Sequence, residues 1–246
     1  MTSKSRIPIH QTLKVGMMLA VVGGFLDAYT YLLEGRVFAN AQTGNIVLLC
    51  ILSAEGDWLE AVYYLIPISA YLMGILVTEF IHKYYKAIRP GLWRKRMLMI
   101  EIIFLAFIAL IAPYCIPSVV NVAISFISAM QACTFKNLMG ESYVTMTCTG
   151  NLRSAARHLF RYLVDKNQEA GQMSRRYFAI IGAFCIGAML GTLLVKSLSY
   201  WSILCCCAIL SIVLFILTKK GKEPMTDKEL KGHKTEPEDL KKETTY

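Results

Sequence analysis

The sequence predicts an all-α, polytopic membrane protein of about six transmembrane helices. They form two inverted three-helix repeats, each with a short broken helix at a Thr-Gly-Asn motif. Three observations lead there. Hydrophobic residues make up 55 % of the 246 residues and charged residues 17 %, against roughly 45–50 % and about 25 % in soluble domains. Several apolar stretches reach the roughly 20 residues that an α-helix needs to cross a hydrocarbon core. Lys and Arg gather between these stretches and on alternate connections, as the positive-inside rule requires.

Six spans follow from hydropathy, at about 14–33, 59–81, 97–112, 119–135, 177–195 and 201–218. The first apolar run, 15–33, is long for a signal-peptide core, and no small-x-small cleavage site follows it, so it is expected to remain as a span. Pro67 falls inside the second span, where neighbouring helices can satisfy the carbonyl it frees. Pro113 and Pro117 bracket the turn between the third and fourth spans, since a missing N–H and a fixed φ suit a helix end.

Charge orients the chain. Lys4, Arg6 and Lys14 precede the first span, and Lys83, Lys86, Arg89, Arg94, Lys95 and Arg96 separate the second from the third. Arg153, Arg157, Arg161, Lys166, Arg175 and Arg176 separate the fourth from the fifth. The opposite connections are poor in cations: between Glu34 and Glu60 there is only Arg36, and 113–118 has none. Both termini are therefore expected in the cytoplasm. The organisation is an N-terminal arm (1–13), membrane repeat one (14–112), membrane repeat two (113–218) and a disordered charged cytoplasmic tail (219–246). That tail carries eight Lys against seven acids, so most of the net charge of +9 lies beside the spans. The charge records orientation and does not point to nucleic acid.

Thr43-Gly44-Asn45 and Thr149-Gly150-Asn151 lie 106 residues apart. The same offset carries the first span onto the fourth, the third onto the sixth and the second near the fifth, which marks an internal repeat. Three crossings per copy turn the second copy upside down. Inverted repeats with short Gly-interrupted segments at matching positions are the pattern of secondary transporters. If both segments crossed fully, the count would be eight. A helix starting near Asn45, with Thr and Asn as favoured caps, would offer free N–H groups and a partial positive charge to an anion or carboxylate. The bland alternative is a capped helix at the membrane interface.

Other polar residues complete the expected substrate or ion site. Asp27, in Gly23-Gly24-Phe25-Leu26-Asp27, costs roughly 2.5–3.5 kcal/mol to insert if ionised, so it should face a cavity or a partner such as Arg36. With Asp27 stand Gln42, Thr43, Gly44, Asn45, Gln131, Thr149, Gly150 and Asn151. Gln131 and Asn137, with Lys136 between, would supply interhelical hydrogen bonds or a cavity wall. Glu101 is expected to snorkel toward Arg94 or Lys95. Arg153, Arg157 and Arg161 share one helical face, suited to anionic lipid headgroups. Gly187 and Gly191 form Gly-x-x-x-Gly after Gly182, for packing within the chain or in a homodimer.

Catalysis has little support. The histidines His10, His82, His158 and His233 fall in loops, an amphipathic segment or the tail, and neither His-Glu-x-x-His nor Gly-x-Ser-x-Gly occurs. No phosphate-binding Gly-rich loop supports ATP-driven pumping. The eight cysteines lack paired ligand spacing, so no metal or cofactor is expected and they are read as small apolar residues. No enzyme is predicted.

The block from Val22-Gly23-Gly24-Phe25-Leu26-Asp27-Ala28-Tyr29 through Phe38-Ala39-Asn40-Ala41-Gln42-Thr43-Gly44-Asn45, with Met130-Gln131 and the second Thr-Gly-Asn, resembles the YoaK-like family of bacterial multi-pass membrane proteins. The resemblance spans about 12–218 and implies an inner-membrane protein of about six helices, of unknown function. The expected activity is a secondary transporter or channel-like permease for a small solute or ion, not driven by nucleotide. The competing expectation is a non-transporting scaffold or assembly protein.

Overall fold

The computed structural model describes residues 7–86 and 92–219, so residues 1–6 of the N-terminal arm, Arg89 and all of the tail beyond Lys219 lie outside the described residues. Eight α-helices follow in order: α1 (Leu13–Leu33), α2 (Gln42–Glu55), α3 (Trp58–Lys86), α4 (Trp93–Ile111), α5 (Pro117–Thr134), α6 (Thr149–Val164), α7 (Gln168–Leu198) and α8 (Leu204–Lys219). Single 3-10 turns precede α1, follow α4 and join α7 to α8. A two-residue antiparallel pairing of Asn137 and Leu138 with Ser142 and Glu141, turned at Gly140, lies between α5 and α6.

Among the described residues five stretches are long and apolar enough to cross a membrane, the last of which, Gln168–Lys219, takes in both α7 and α8. At a rise of 1.5 Å per residue, the 14-residue α2 and 16-residue α6 extend about 21 and 24 Å, short of a core of about 30 Å. Neither is among the candidate spans, which argues against the eight-pass count. Several helices outrun their hydropathic spans. α7 begins nine residues early because Asn167 caps it, accepting a hydrogen bond from the Ala170 N–H at 3.0 Å, and polar residues continue a helix as well as apolar ones do. α3 runs unbroken through Pro67.

Packing explains the sequence of α1. The spanning window of this helix is 72 % buried, against 28 % for α3, because α1 touches α5, α7 and α8. α7 packs along α1 and α5 along α3; α2 lies on α3 and α6 on α7; α4 meets α5 and α8. The crossings are made close by glycine. A Cβ on Gly24 would meet the Phe184 carbonyl, one on Gly187 the Val21 carbonyl, and one on Gly74 the Phe126 carbonyl. Small residues permit such backbone approach where lipid supplies no hydrophobic drive between helices. The Gly187 and Gly191 pair therefore packs within the chain, while Gly182 faces open space. The core around these crossings is apolar, with Val15, Leu19, Val22, Phe25 and Leu26 of α1 at its centre.

Gly187→Val drives a side chain into the backbone of α1, so a loss of at least about 1–3 kcal/mol is expected from overpacking. Gly182→Ala meets nothing and should be neutral or stabilising by roughly 0.5–1 kcal/mol through helix propensity. Thermal unfolding of the two variants in detergent micelles checks the contrast.

Candidate functional site

Two loops converge on the middle of α1. The chain leaves α1 at Glu34, turns through Gly35 and Arg36, both at positive φ, and comes back along the helix it has left. There the Asn40 side chain donates to the Gly23 carbonyl at 2.7 Å, and the Asn40 backbone N–H donates to Asp27 Oδ1 at 3.0 Å. One turn further along α1, the Thr30 hydroxyl accepts from the Ala39 N–H at 3.3 Å. The second loop, between α5 and α6, reaches the same place. The Thr145 carbonyl and Met146 stand against Gly23, close enough to exclude a Cβ. Gln131 of α5 joins them, its amide donating to the Leu19 carbonyl at 3.3 Å and contacting Met146 Sδ at 3.6 Å.

The centre is thus formed by Gly23, Asp27, Asn40, Gln131, Thr145 and Met146. Asp27, Asn40, Gln131 and Thr145 are all buried. Tyr71 of α3 and Cys148 at the start of α6 are titratable groups in the field of Asp27. The expected pairing of Asp27 with Arg36 is not formed: Arg36 is exposed in the turn, and the Asp27 hydrogen bond goes to the Asn40 N–H. Polar atoms are left over here: the acceptors Asn40 Oδ1 and Gln131 Oε1 and the Thr145 hydroxyl have no partner among the described residues.

The two Thr-Gly-Asn motifs do different work from that expected of them. α2 starts at Gln42 and α6 at Thr149, so each asparagine lies within the first turn and neither is the cap. Each reaches back seven residues to hold the incoming loop. Asn45 Nδ2 donates to the Phe38 carbonyl and to Gln42 Oε1, both at 2.9 Å. Asn151 binds Val144 twice, accepting from its N–H at 3.0 Å and donating to its carbonyl at 2.6 Å, and also donates to Thr147 O. Gln42 in turn donates to the Ala39 carbonyl at 2.7 Å. Thr43, Thr149 and Gly150 are exposed and Gly44 is half-buried, so they do not join the central group.

Glu101 departs from expectation. It is 2 % exposed, with Oε1 unpartnered among the described residues, and faces the Cys206 and Cys207 region of α8. α4 begins at Trp93, so Glu101 lies more than two turns inside it and is covered by α8. Arg94 stacks over the Trp93 ring instead. Asn137 pairs in the small hairpin, and Lys136 forms an exposed ion pair with Glu79 at 3.4 Å. His82 lies within α3 and not in a loop. His158 is buried beneath the Tyr177 ring with neither ring nitrogen bonded; burial, and then Arg157 and Arg161, push its pKa down against the pull of Glu141. Arg153, Arg157 and Arg161 stand exposed along α6, as the periodicity predicts.

Asn40, Glu34 and Asn121 were not marked by sequence. Asn40 sat inside a recognised block but has Met146 as its counterpart at the repeat offset, so no repeated polar residue drew attention to it. Glu34 caps α1, buried at 1 % exposure. Its carbonyl accepts from Asn121 Nδ2 at 2.6 Å and from the Tyr63 hydroxyl at 3.1 Å. Burial pushes its carboxyl up to about 7.

Such features define an all-helical protein with several helices of membrane-crossing length, two shorter helices between them and a buried polar centre. Among the described residues no group of three or more His, Cys, Asp or Glu is arranged to hold a metal ion. The chain belongs to the DUF1275 family, described as proteins of unknown function, which matches residues 15–216. No curated protein and no solved structure matches it.

Two outcomes are expected. Asn151→Ala removes three hydrogen bonds and Asn45→Ala two, so both should destabilise, the first more, by about 1 kcal/mol for each bond lost; hydrogen exchange at the Val144 amide should accelerate only in the first. Because the native state holds the Glu34 proton more tightly than the unfolded chain, the contribution of this group to stability is full below about pH 4.5 and is lost as pH rises through about 7. Glu34→Gln should lack that component of the slope in chemical unfolding between pH 5 and 8.

Proposed function

We propose that the protein is a secondary transporter or channel-like permease for a small solute or ion, working by alternating access without nucleotide hydrolysis. The observation that carries the reading is the meeting of two non-helical loops at one residue, Gly23, halfway along α1. Irregular backbone at membrane depth is tolerated only where protein or a cavity surrounds it, and in transporters the substrate site lies at such breaks. Asp27 is the group that would take a cation or proton, with Asn40 and Gln131 beside it. Asn45 and Asn151 position the loops that shape the site.

An inverted repeat supports this mechanism. Exchanging α1–α4 with α5–α8 turns the α1 and α7 contact into that of α5 and α3, and the α2 and α3 contact into that of α6 and α7. The α4 and α5 contact becomes that of α8 and α1, while α4 and α8 exchange with each other. Details follow the same exchange. Asp27-Ala28-Tyr29-Thr30-Tyr31 corresponds to Gln131-Ala132-Cys133-Thr134-Phe135, and Gly74 of α3, packed against α5, corresponds to Gly187 of α7, packed against α1. Gly35 and Gly140 both turn at positive φ. Two halves of one design, packed across a shared centre, can rock against each other about it.

On this reading the protein sits in a bacterial inner membrane with six crossings and both termini in the cytoplasm, as its Lys and Arg distribution favours. The second reading, a membrane scaffold, is favoured by α6, whose Arg153, Arg157 and Arg161 stand exposed beside exposed Leu159, Phe160 and Leu163. Such a face suits anionic headgroups or an acidic partner. A homodimer remains compatible with either reading.

Proteoliposome flux across a panel of small solutes and ions separates the readings. Transport requires a solute whose flux is abolished by Asp27→Asn and reduced at least tenfold by Asn40→Ala, with folding retained. Absence of flux for the whole panel, with wild-type protein capturing an assembly partner, would favour the scaffold.

A further inference from the structure

The end of the molecule where α1 finishes and α3 begins holds a second polar group, separate from the centre. A cleft of about 430 Å³ opens there, lined by Leu59, Glu60, Tyr63 and Tyr64. The Tyr63 and Tyr64 rings stand at 89° to each other with centroids 5.6 Å apart. Behind Tyr63, the Glu34 carbonyl, the Tyr63 hydroxyl and the Asn121 amide form a closed set of hydrogen bonds. That set leaves over two acceptors. Glu34 Oε1 and Asn121 Oδ1 have no partner, and both residues are 1 % exposed. The cleft itself offers the Glu60 carboxylate and two phenols, while Glu34 Oε1 and Asn121 Oδ1 are buried behind Tyr63 and do not line it. Among the described residues neither Glu34 nor Glu60 forms an ion pair.

A site built from acceptors and aromatic faces selects for positive charge carrying N–H donors. A metal ion would want several carboxylate oxygens converging at about 2–2.5 Å, and no such cluster is present among the described residues. Perpendicular aromatic rings flanked by a carboxylate instead match an alkylammonium, whose charge is held over ring faces and whose N–H groups need acceptors. We propose that this cleft binds a primary ammonium group, with Glu60 as its hydrogen-bonded counter-ion, Tyr63 and Tyr64 as its aromatic walls and the buried Glu34 carboxylate behind Tyr63 as a second negative charge. The ammonium comes either from a free alkylamine or from an aminophospholipid headgroup. The inference does not rest on the transport reading, since it concerns other residues and is read by binding.

Glu34 gives the site a second readout. Its carboxyl is held near half-protonation at neutral pH, and the titratable groups in its field are Tyr29 on α1 and Tyr63 on α3. A cation arriving in the cleft favours the carboxylate, so binding at pH 7 releases a fraction of a proton, at most roughly half per site.

The test uses the full chain in nanodiscs of phosphatidylglycerol, titrated with n-butylammonium chloride at constant ionic strength in a calorimeter. Saturable binding is expected, weakened at least tenfold by Glu60→Gln and by Tyr64→Ala, both at exposed or half-buried positions that leave folding intact. The heat should depend on the ionisation enthalpy of the buffer in wild type and not in Glu34→Gln, reporting the released proton. In discs that also contain phosphatidylethanolamine, loss of n-butylammonium binding identifies the headgroup as the occupant, and retention identifies the free amine. No saturable binding by folded wild type, or binding unchanged in both Glu60→Gln and Tyr64→Ala, overturns the proposal. Flux through the centre is unaffected by either result.

Discussion

The grip of Asn40 on the middle of α1 is the interaction on which the remaining architecture depends. A loop inside hydrocarbon has no water to satisfy its N–H and C=O groups, so each must find a protein partner or cost several kcal/mol. The α1–α2 loop meets that demand by folding back on α1, where the Gly23 carbonyl and the Asp27 carboxylate take its donors. Asn151 does the equivalent for the second loop by bonding both backbone groups of Val144. Once the loops are anchored at mid-helix, α2 and α6 start from there and stay short, at 14 and 16 residues. A polar side chain at mid-membrane is costly by itself; here it completes the hydrogen bonding of a backbone that would otherwise be unsatisfied.

Glycine at the helix crossings is the second condition. The loops reach α1 only because α1 presents Gly23 to one neighbour and Gly24 to another on adjacent faces. Gly23 accepts the loop and Gly24 accepts the backbone of α7. A side chain at either would push out the element it faces. The pair thus ties together the packing of the scaffold and the shape of the centre, and a change meant to probe one would disturb the other.

Hydropathy made the spans legible, because lipid contact imposes a composition that no soluble helix needs. The arginine face of α6 was legible for a similar reason, being a periodicity. The Thr-Gly-Asn repeats were visible as strings, but their role was not, since a side chain that reaches seven residues back leaves no local signal. Asn40 and Glu34 were hidden because their importance lies in what folds onto them. Glu101 was misjudged by distance from the nearest charges along the chain, when the covering element, α8, lies a hundred residues later. Sequence reports which environment a residue tolerates more readily than which partner it meets.

Bilayer thickness enters through α3. The exposed apolar and aromatic residues of this helix run from Trp58 and Leu59 through Leu65, Leu72 and Leu76 to Phe80 and Tyr84, a strip about 39 Å long at helical rise. α7 avoids the problem, since its first turns are polar and its exposed apolar strip starts at Phe178. The aromatic ends of the strip, Trp58 and Tyr84, suit the headgroup level, and any apolar length that still exceeds a core of about 30 Å is taken up by tilt or by stretching the surrounding acyl chains, at fractions of a kcal/mol per Å. α3 is also the helix on which α5 and α2 lean. Acyl-chain length is therefore a mechanical variable for this protein: a thin membrane asks α3 to lie over, and whatever leans on α3 moves with it.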